Sequence, residues 1–452
     1  MTTTQKILRT LLVSACALVA ANGFAQLQDD QIAFSGSLLD NGSNGKFTKI
    51  APHAHLANGQ AHARHGVPNI DSLLNWNDHY FAPGYLDNGT PDGVFNNHWY
   101  TNAVGNPPNN HGTTYINAPV VPVDIDLRNF DGSIRYAQDA KGNFILDNNG
   151  NKIRMYLEAS PYLPYVVASP VFQNSLYSSS STPTQFTDAV QRAEYFSKAK
   201  DDWHTILVPN IKTKRVMTLV RGTYRFSARA DGTLRYVLVD ANAFVNALFP
   251  PTATDTTTVI GQAENAGEIT TKDISTFLFP NTFLYVGDPN VPGNCCILGF
   301  HTYDFEPGDD SNGNVEKRYV TNYSSWISPG LFGAAFTDIT AHSHEIAETF
   351  NDPFVVSDGV RNLTPWWLSP NGNCQNDLED GDVVEGLSNA TYPVTLPVTV
   401  SGTTSQFTFH PQNEALLQWF QEGSSDAIDH AYSYPNTSIL TSPTKVQKPN
   451  CN

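Results

Sequence analysis

The sequence predicts an α+β fold: one large, loop-rich body with several antiparallel strands and one chemically loaded helix. Three observations carry that expectation. Gly and Pro supply 31 and 29 of the 452 residues, and both punctuate regular structure. Short apolar runs follow one another across Asp-Gly and Gly-Asn steps, the residue pairs of tight hairpin turns. A helical pattern then spans residues 337–350 and stops before Pro353, whose ring cannot continue a helix.

Taken in order, residues 1–25 read as a cleaved export signal. Lys6 and Arg9 give a positive start, and Leu11 to Ala21 is a mostly apolar stretch. Gly23-Phe24-Ala25 then places small residues at the cleavage positions ahead of Gln26. The stretch is too short to span a bilayer, and no later run approaches about 18 apolar residues, so stable membrane insertion is not expected. The expected location is exported, either secreted or periplasmic. The chain carries 26 Lys+Arg against 43 Asp+Glu, a formal charge of -17, which becomes -19 when Lys6 and Arg9 leave with the signal. That balance repels phosphate backbones and anionic lipid, so nucleic acid is not an expected partner.

Residues 26–118 form an irregular polar region. His53, His55, His62 and His65 lie there among Ala, Gly and Asn without periodicity and read as loop. The main α+β domain is expected over 119–452, with no internal repeat and no clean linker. Val123-Asp124-Ile125-Asp126-Leu127 alternates as a half-buried strand, and turns at Asp131-Gly132 and Gly142-Asn143 suggest hairpins through Ile134–Tyr136 and Phe144–Leu146. Phe186, Val190 and Ala193 recur at helical spacing within 184–198. Further strands are expected in 215–224, 234–244, 274–287, 295–303 and 394–409, and a helix over 413–422. Cys295, Cys296, Cys374 and Cys451 follow the signal. In an oxidising compartment the expected bridge joins the adjacent Cys295-Cys296 pair to Cys374 or Cys451, not the two neighbours to each other.

The chemistry concentrates in Asp338-Ile339-Thr340-Ala341-His342-Ser343-His344-Glu345-Ile346-Ala347-Glu348, with Thr337 or Asp338 available as helix cap. Four-residue spacing puts His344 and Glu348 on one face, where an imidazole and a carboxylate can share a metal ion. Glu345 lies beside them as the base for a water. Glu348 stands where the zinc-peptidase helix carries its second His. Glu379 is the expected third ligand, with Asp382 joining it or orienting His344, and His342 is a rival ligand. Zinc suits a His/carboxylate set; calcium is preferred if only oxygens line the pocket. In a hydrolase Glu345 would move the water proton, and His301 or Tyr303 would stabilise the oxyanion. The competing reading is a polar helical pair beside an ordinary acidic turn, in a noncatalytic extracellular binding or structural protein. The partner would be a peptide or an extracellular polymer. Trp366, Trp367 and Trp419 could stack on sugar rings, and Asp309, Asp310, Asn312 and Asn314 form an acidic loop suited to calcium.

His344-Glu345-Ile346-Ala347-Glu348-Thr349-Phe350-Asn351-Asp352-Pro353, followed by Trp366-Trp367 and Leu378-Glu379-Asp380-Gly381-Asp382, resembles a motif of secreted, largely uncharacterised bacterial proteins. Segments 184–195 and 295–301 resemble the same group. The helix motif alone is also similar to EXORDIUM-like extracellular proteins of plants. The resemblance implies that His344, Glu345, Glu348, Asp352, Glu379 and Asp382 form one metallopeptidase-like site.

Overall fold

The alternation at Val123–Leu127 makes a strand, but one covered on both faces. A computed structural model describes residues 30–32, 36–38, 53–54, 70–85, 91–180, 182–355, 367–372, 374–375 and 378–443. In it Val123, Ile125 and Leu127 enter the core, and Asp124 and Asp126 are equally buried. Asp124 accepts from Tyr156 Oη (2.6 Å) and the Ala159 amide (2.8 Å) and pairs with Lys214 (2.7 Å). Asp126 accepts from Arg154 Nε at 2.8 Å. Ion pairing lets carboxylates occupy a covered face that alternation alone assigns to solvent.

This strand belongs to β1 (Thr113–Arg128). Helix α1 (Phe186–Glu194) follows, then β2 (His204–Ile211), β3 (Arg215–Val220), β4 (Ile274–Pro280), β5 (Gly299–Glu306), β6 (Glu316–Phe332) and α2 (Thr340–Asn351). They form the body of a 10-stranded sheet in the order β5-β6-β4-β1, with β2 and β3 in line along the outer edge of β1. All these neighbours are parallel except β5 and β6. The expected α+β class with antiparallel strands is therefore overturned. The chain is 37% strand and 17% helical around a large, mostly parallel sheet, and is closer to an α/β, sheet-dominated fold. The cause is topological. Parallel neighbours need crossover connections: α1 lies in the one from β1 to β2, and the helices Ala241–Leu248 and Val259–Asn265 lie in the one that carries the chain from β3, on one side of β1, to β4 on the other. Turn residues report chain reversal and carry no signal of a partner far along the chain.

Local details depart in the same way. Residues 129–155 form successive turns in which Gly132, Gly142 and Gly150 amides donate to Asn129, Asp139 and Asp147 carbonyls. The same turn thus recurs at Asn129–Gly132, Asp139–Gly142 and Asp147–Gly150, so this stretch does contain a short, unevenly spaced repeat. The expected helix over 413–422 shrinks to Leu417–Phe420, because Glu414–Ala415 pairs instead with Ser433–Tyr434. Cys295 and Cys296 are disulfide-bonded to each other, overturning the expected bridge from this pair to a distant cysteine. Both are buried among Tyr236, Leu298 and Phe332, and with each sulfur bonded to its neighbour neither keeps a thiol for a remote partner. The Cys374 side chain and Cys451 lie outside the described residues, as do the export signal and His55, His62 and His65. Among the described residues, no helix is long and apolar enough to cross a membrane.

Helix α2 packs back across β5 and β6, and β6 leads into it through the short strand Phe336–Asp338. Its cap differs from the expected Thr337 or Asp338. Ile339 occupies that position, Thr340 Oγ1 donates to the Thr337 carbonyl (2.7 Å), and Asp338 accepts from the His410 amide (2.9 Å). The helix ends at Asn351, before Asp352-Pro353. Every residue of α2 is buried, so its polar side chains must find partners inside the protein.

Candidate metal centre

Helical spacing puts His344 and Glu348 on one face of α2, and their Nε2 and Oε2 atoms lie 3.1 Å apart. Glu348 Oε1 accepts from the amides of Gly381 (3.1 Å) and Asp382 (3.2 Å), which pins the Leu378–Asp382 turn onto the helix. Asp382 Oδ1 thereby comes within 3.7 Å of His344 Nε2. From the sheet side, β5 presents His301. Its Nδ1 faces Glu348 Oε2 at 3.3 Å, Glu345 Oε2 at 3.4 Å and Glu379 Oε2 at 3.9 Å. Two glycines make the close approaches possible: a Cβ on Gly299 would collide with Glu345, and one on Gly381 with His344. The same Cβ on Gly381 would lie 2.8 Å from Glu414 Oε2, which places Glu414 beside the outer edge of the His344 ring.

These side chains are cut off from solvent, with His344 at 0% and His301, Glu345 and Glu348 each at 1% exposure. Burial opposes ionisation of Glu348, yet His344 and His301 hold its carboxyl well below the usual range. Burial pushes Glu345 up to about 7, against the pull of the same imidazoles. Burial also works against a protonated His301, but Glu379, Glu345 and Glu348 raise its pKa well above the ordinary value. Burial and neighbouring carboxylates push Asp380, Asp382 and Glu414 strongly upward.

Three overlapping sets could hold a metal ion: His344, Glu348 and Asp382; His301, Glu345 and Glu348; and His301, Asp352 and Glu379. Ligands on a tetrahedral ion with bonds near 2.1 Å stand about 3.4 Å apart, whereas a charge-assisted hydrogen bond closes to about 2.8 Å. The imidazole–carboxylate separations of 3.1–3.9 Å fall mostly on the ligand side of that comparison.

No known protein family, curated protein or solved structure matches the chain. Its chemistry must be read from this centre.

Of the residues singled out from sequence, His301, His344, Glu345, Glu348, Glu379 and Asp382 come together. Glu379 joins a set with His301 and Asp352, while Asp382 joins the set of His344 and Glu348. His301, expected at the oxyanion, sits among the residues that could hold a metal ion. Tyr303 packs against Arg318 and Phe354 and belongs to none of the three sets. His342 turns to the other side of α2, where its ring meets Phe172 at 5.5 Å and burial lowers its pKa to about 3. Trp419 is buried against Phe420 and cannot stack on a sugar; the Trp366 and Trp367 side chains lie outside the described residues. In the acidic loop Asp309 accepts from Ser311 and pairs with Lys317 at 2.5 Å, so its charge is already engaged. Sequence reasoning missed Glu414, which it placed in a helix, and Glu194. The Asn351 amide donates to both Glu194 (3.1 Å) and Asp380 (2.8 Å) beneath the centre. Helical spacing within one segment gives no warning of such a polar layer between segments.

Proposed function

We propose that this chain is an exported metal-binding protein of the metallopeptidase-like group its helix motif resembles, and that it works as a zinc-dependent peptidase. The observation that carries this reading is the set of His344, Glu348 and Asp382, with imidazole–carboxylate separations of 3.1 and 3.7 Å and Glu345 one residue from His344. A mixed nitrogen and oxygen donor set favours zinc over calcium. A bound ion would supply Lewis acidity to a scissile carbonyl and a water. Glu345, pushed up to about 7 by burial, is matched to taking a proton from that water near neutral pH and handing it to the leaving nitrogen.

The enclosure of the centre favours a second reading, a noncatalytic protein in which the metal braces α2, β5 and the Leu378–Asp382 turn. A groove of about 1120 Å³ is lined by Leu163, Pro164, Val167, Phe172 and Leu396, and no residue of the centre lines it. The deciding experiment is cleavage of a mixed peptide pool by zinc-loaded wild type and Glu345→Gln at equal metal content. Turnover in wild type and none in the variant supports the peptidase. No turnover in either, with metal bound in both, supports the brace.

A further inference from the structure

We infer that the centre is dinuclear: His301, Asp352 and Glu379 form a second divalent-cation position beside that of His344, Glu348 and Asp382, with the Glu348 carboxylate between them. The inference rests on the first position being a metal site and adds an ion to it. Glu348 Oε2 is 3.1 Å from His344 Nε2 and 3.3 Å from His301 Nδ1, so one carboxylate oxygen faces an imidazole from each set. The sets are otherwise separate. Asp382 gathers with His344, whereas Asp352 and Glu379 gather with His301.

A further sign comes from Glu345. It is 1% exposed, neither of its oxygens has a hydrogen-bond partner, and its neighbour His301 stands 3.4 Å away, too far for a good hydrogen bond. His301 Nε2 is likewise buried without a hydrogen-bond partner. Carboxylates spanning two ions about 3.5–4 Å apart are a recurrent arrangement in hydrolytic centres.

The test is metal stoichiometry of the full chain after zinc loading and removal of free ion, for wild type, His301→Ala, Glu379→Gln and His344→Ala. Far-ultraviolet circular dichroism confirms that each is folded. Two ions per wild-type chain, falling to one in Glu379→Gln and in His301→Ala, is the expected result. One ion in wild type, retained in Glu379→Gln and lost in His344→Ala, overturns the second position and leaves the first intact. No bound ion in folded wild type overturns both. If His301→Ala does not fold, Glu379→Gln decides, because it keeps size and shape while removing a ligand charge.

Discussion

His301 Nδ1 lies 3.3 Å from Glu348 Oε2, and this approach brings the sheet's β5 strand to helix α2. The other oxygen of Glu348 accepts two amides from the Leu378–Asp382 turn. One side chain therefore links strand, helix and turn. The imidazoles of His344 and His301 hold this glutamate well below the usual carboxylate range despite complete burial.

Glu348→Gln should consequently weaken metal binding more than any other single isosteric change. Altering a group that only orients a ligand typically costs 10–100-fold in affinity, so a ligand that also fixes the turn should cost more than about 100-fold. Glu345→Gln should stay within several-fold of wild type if Glu345 serves the water. Competition titration against a chromophoric chelator measures both, and wild-type affinity in Glu348→Gln would remove it from the ligand set.

Gly381→Ala tests the packing of the turn on His344. The added methyl has nowhere to go without moving His344 or Glu414, so a loss of about 1–3 kcal/mol is expected from overpacking. Gly293→Ala is the control, since its Cβ would meet nothing within 4 Å. Urea unfolding of both variants checks the contrast. Equal stability in the two would mean that the turn yields freely.

How much of this was legible in the sequence depended on range. Helical spacing exposed the pairing of His344 with Glu348, and Pro353 marked where α2 stops, because both are properties of one short segment. The alternation of Val123–Leu127 correctly indicated a strand. It could not show that Lys214, Tyr156 and Arg154 would cover Asp124 and Asp126. Nor could any local pattern pair Thr113 with His204, or Thr276 with Val120, and those parallel registers decide the fold class. Glu379 and Asp382 were recognisable as an acidic turn. Their division between two histidines required knowing that β5 passes beneath α2.

The Cys295-Cys296 bond predicts a simple peptide map. Under nonreducing conditions, a single peptide carrying both cysteines should be lighter than its reduced form by two hydrogens, with no second peptide attached to it. A peptide linked to the segment around Cys374 or Cys451 would contradict the adjacent pairing.

Burial raises Glu194 to about 7 from an ordinary value of 4.5, despite the hydrogen bonds it accepts from the Asn351 side chain and the Leu417 amide. A carboxyl whose pKa is higher in the folded state favours folding fully below the unfolded value, and that contribution is lost as pH rises through the folded value. The metal-free protein should therefore lose about 3 kcal/mol through this group between roughly pH 4.5 and pH 8. Glu194→Gln cannot ionise. It should be less stable than wild type near pH 5, where the neutral acid fits its partners, and should recover relative to wild type near pH 8. Urea unfolding of both proteins with chelator present isolates the effect, since metal binding brings its own proton release. A wild-type-minus-variant stability difference that is constant over this interval, or that grows with pH, would show that Glu194 is already ionised at pH 5.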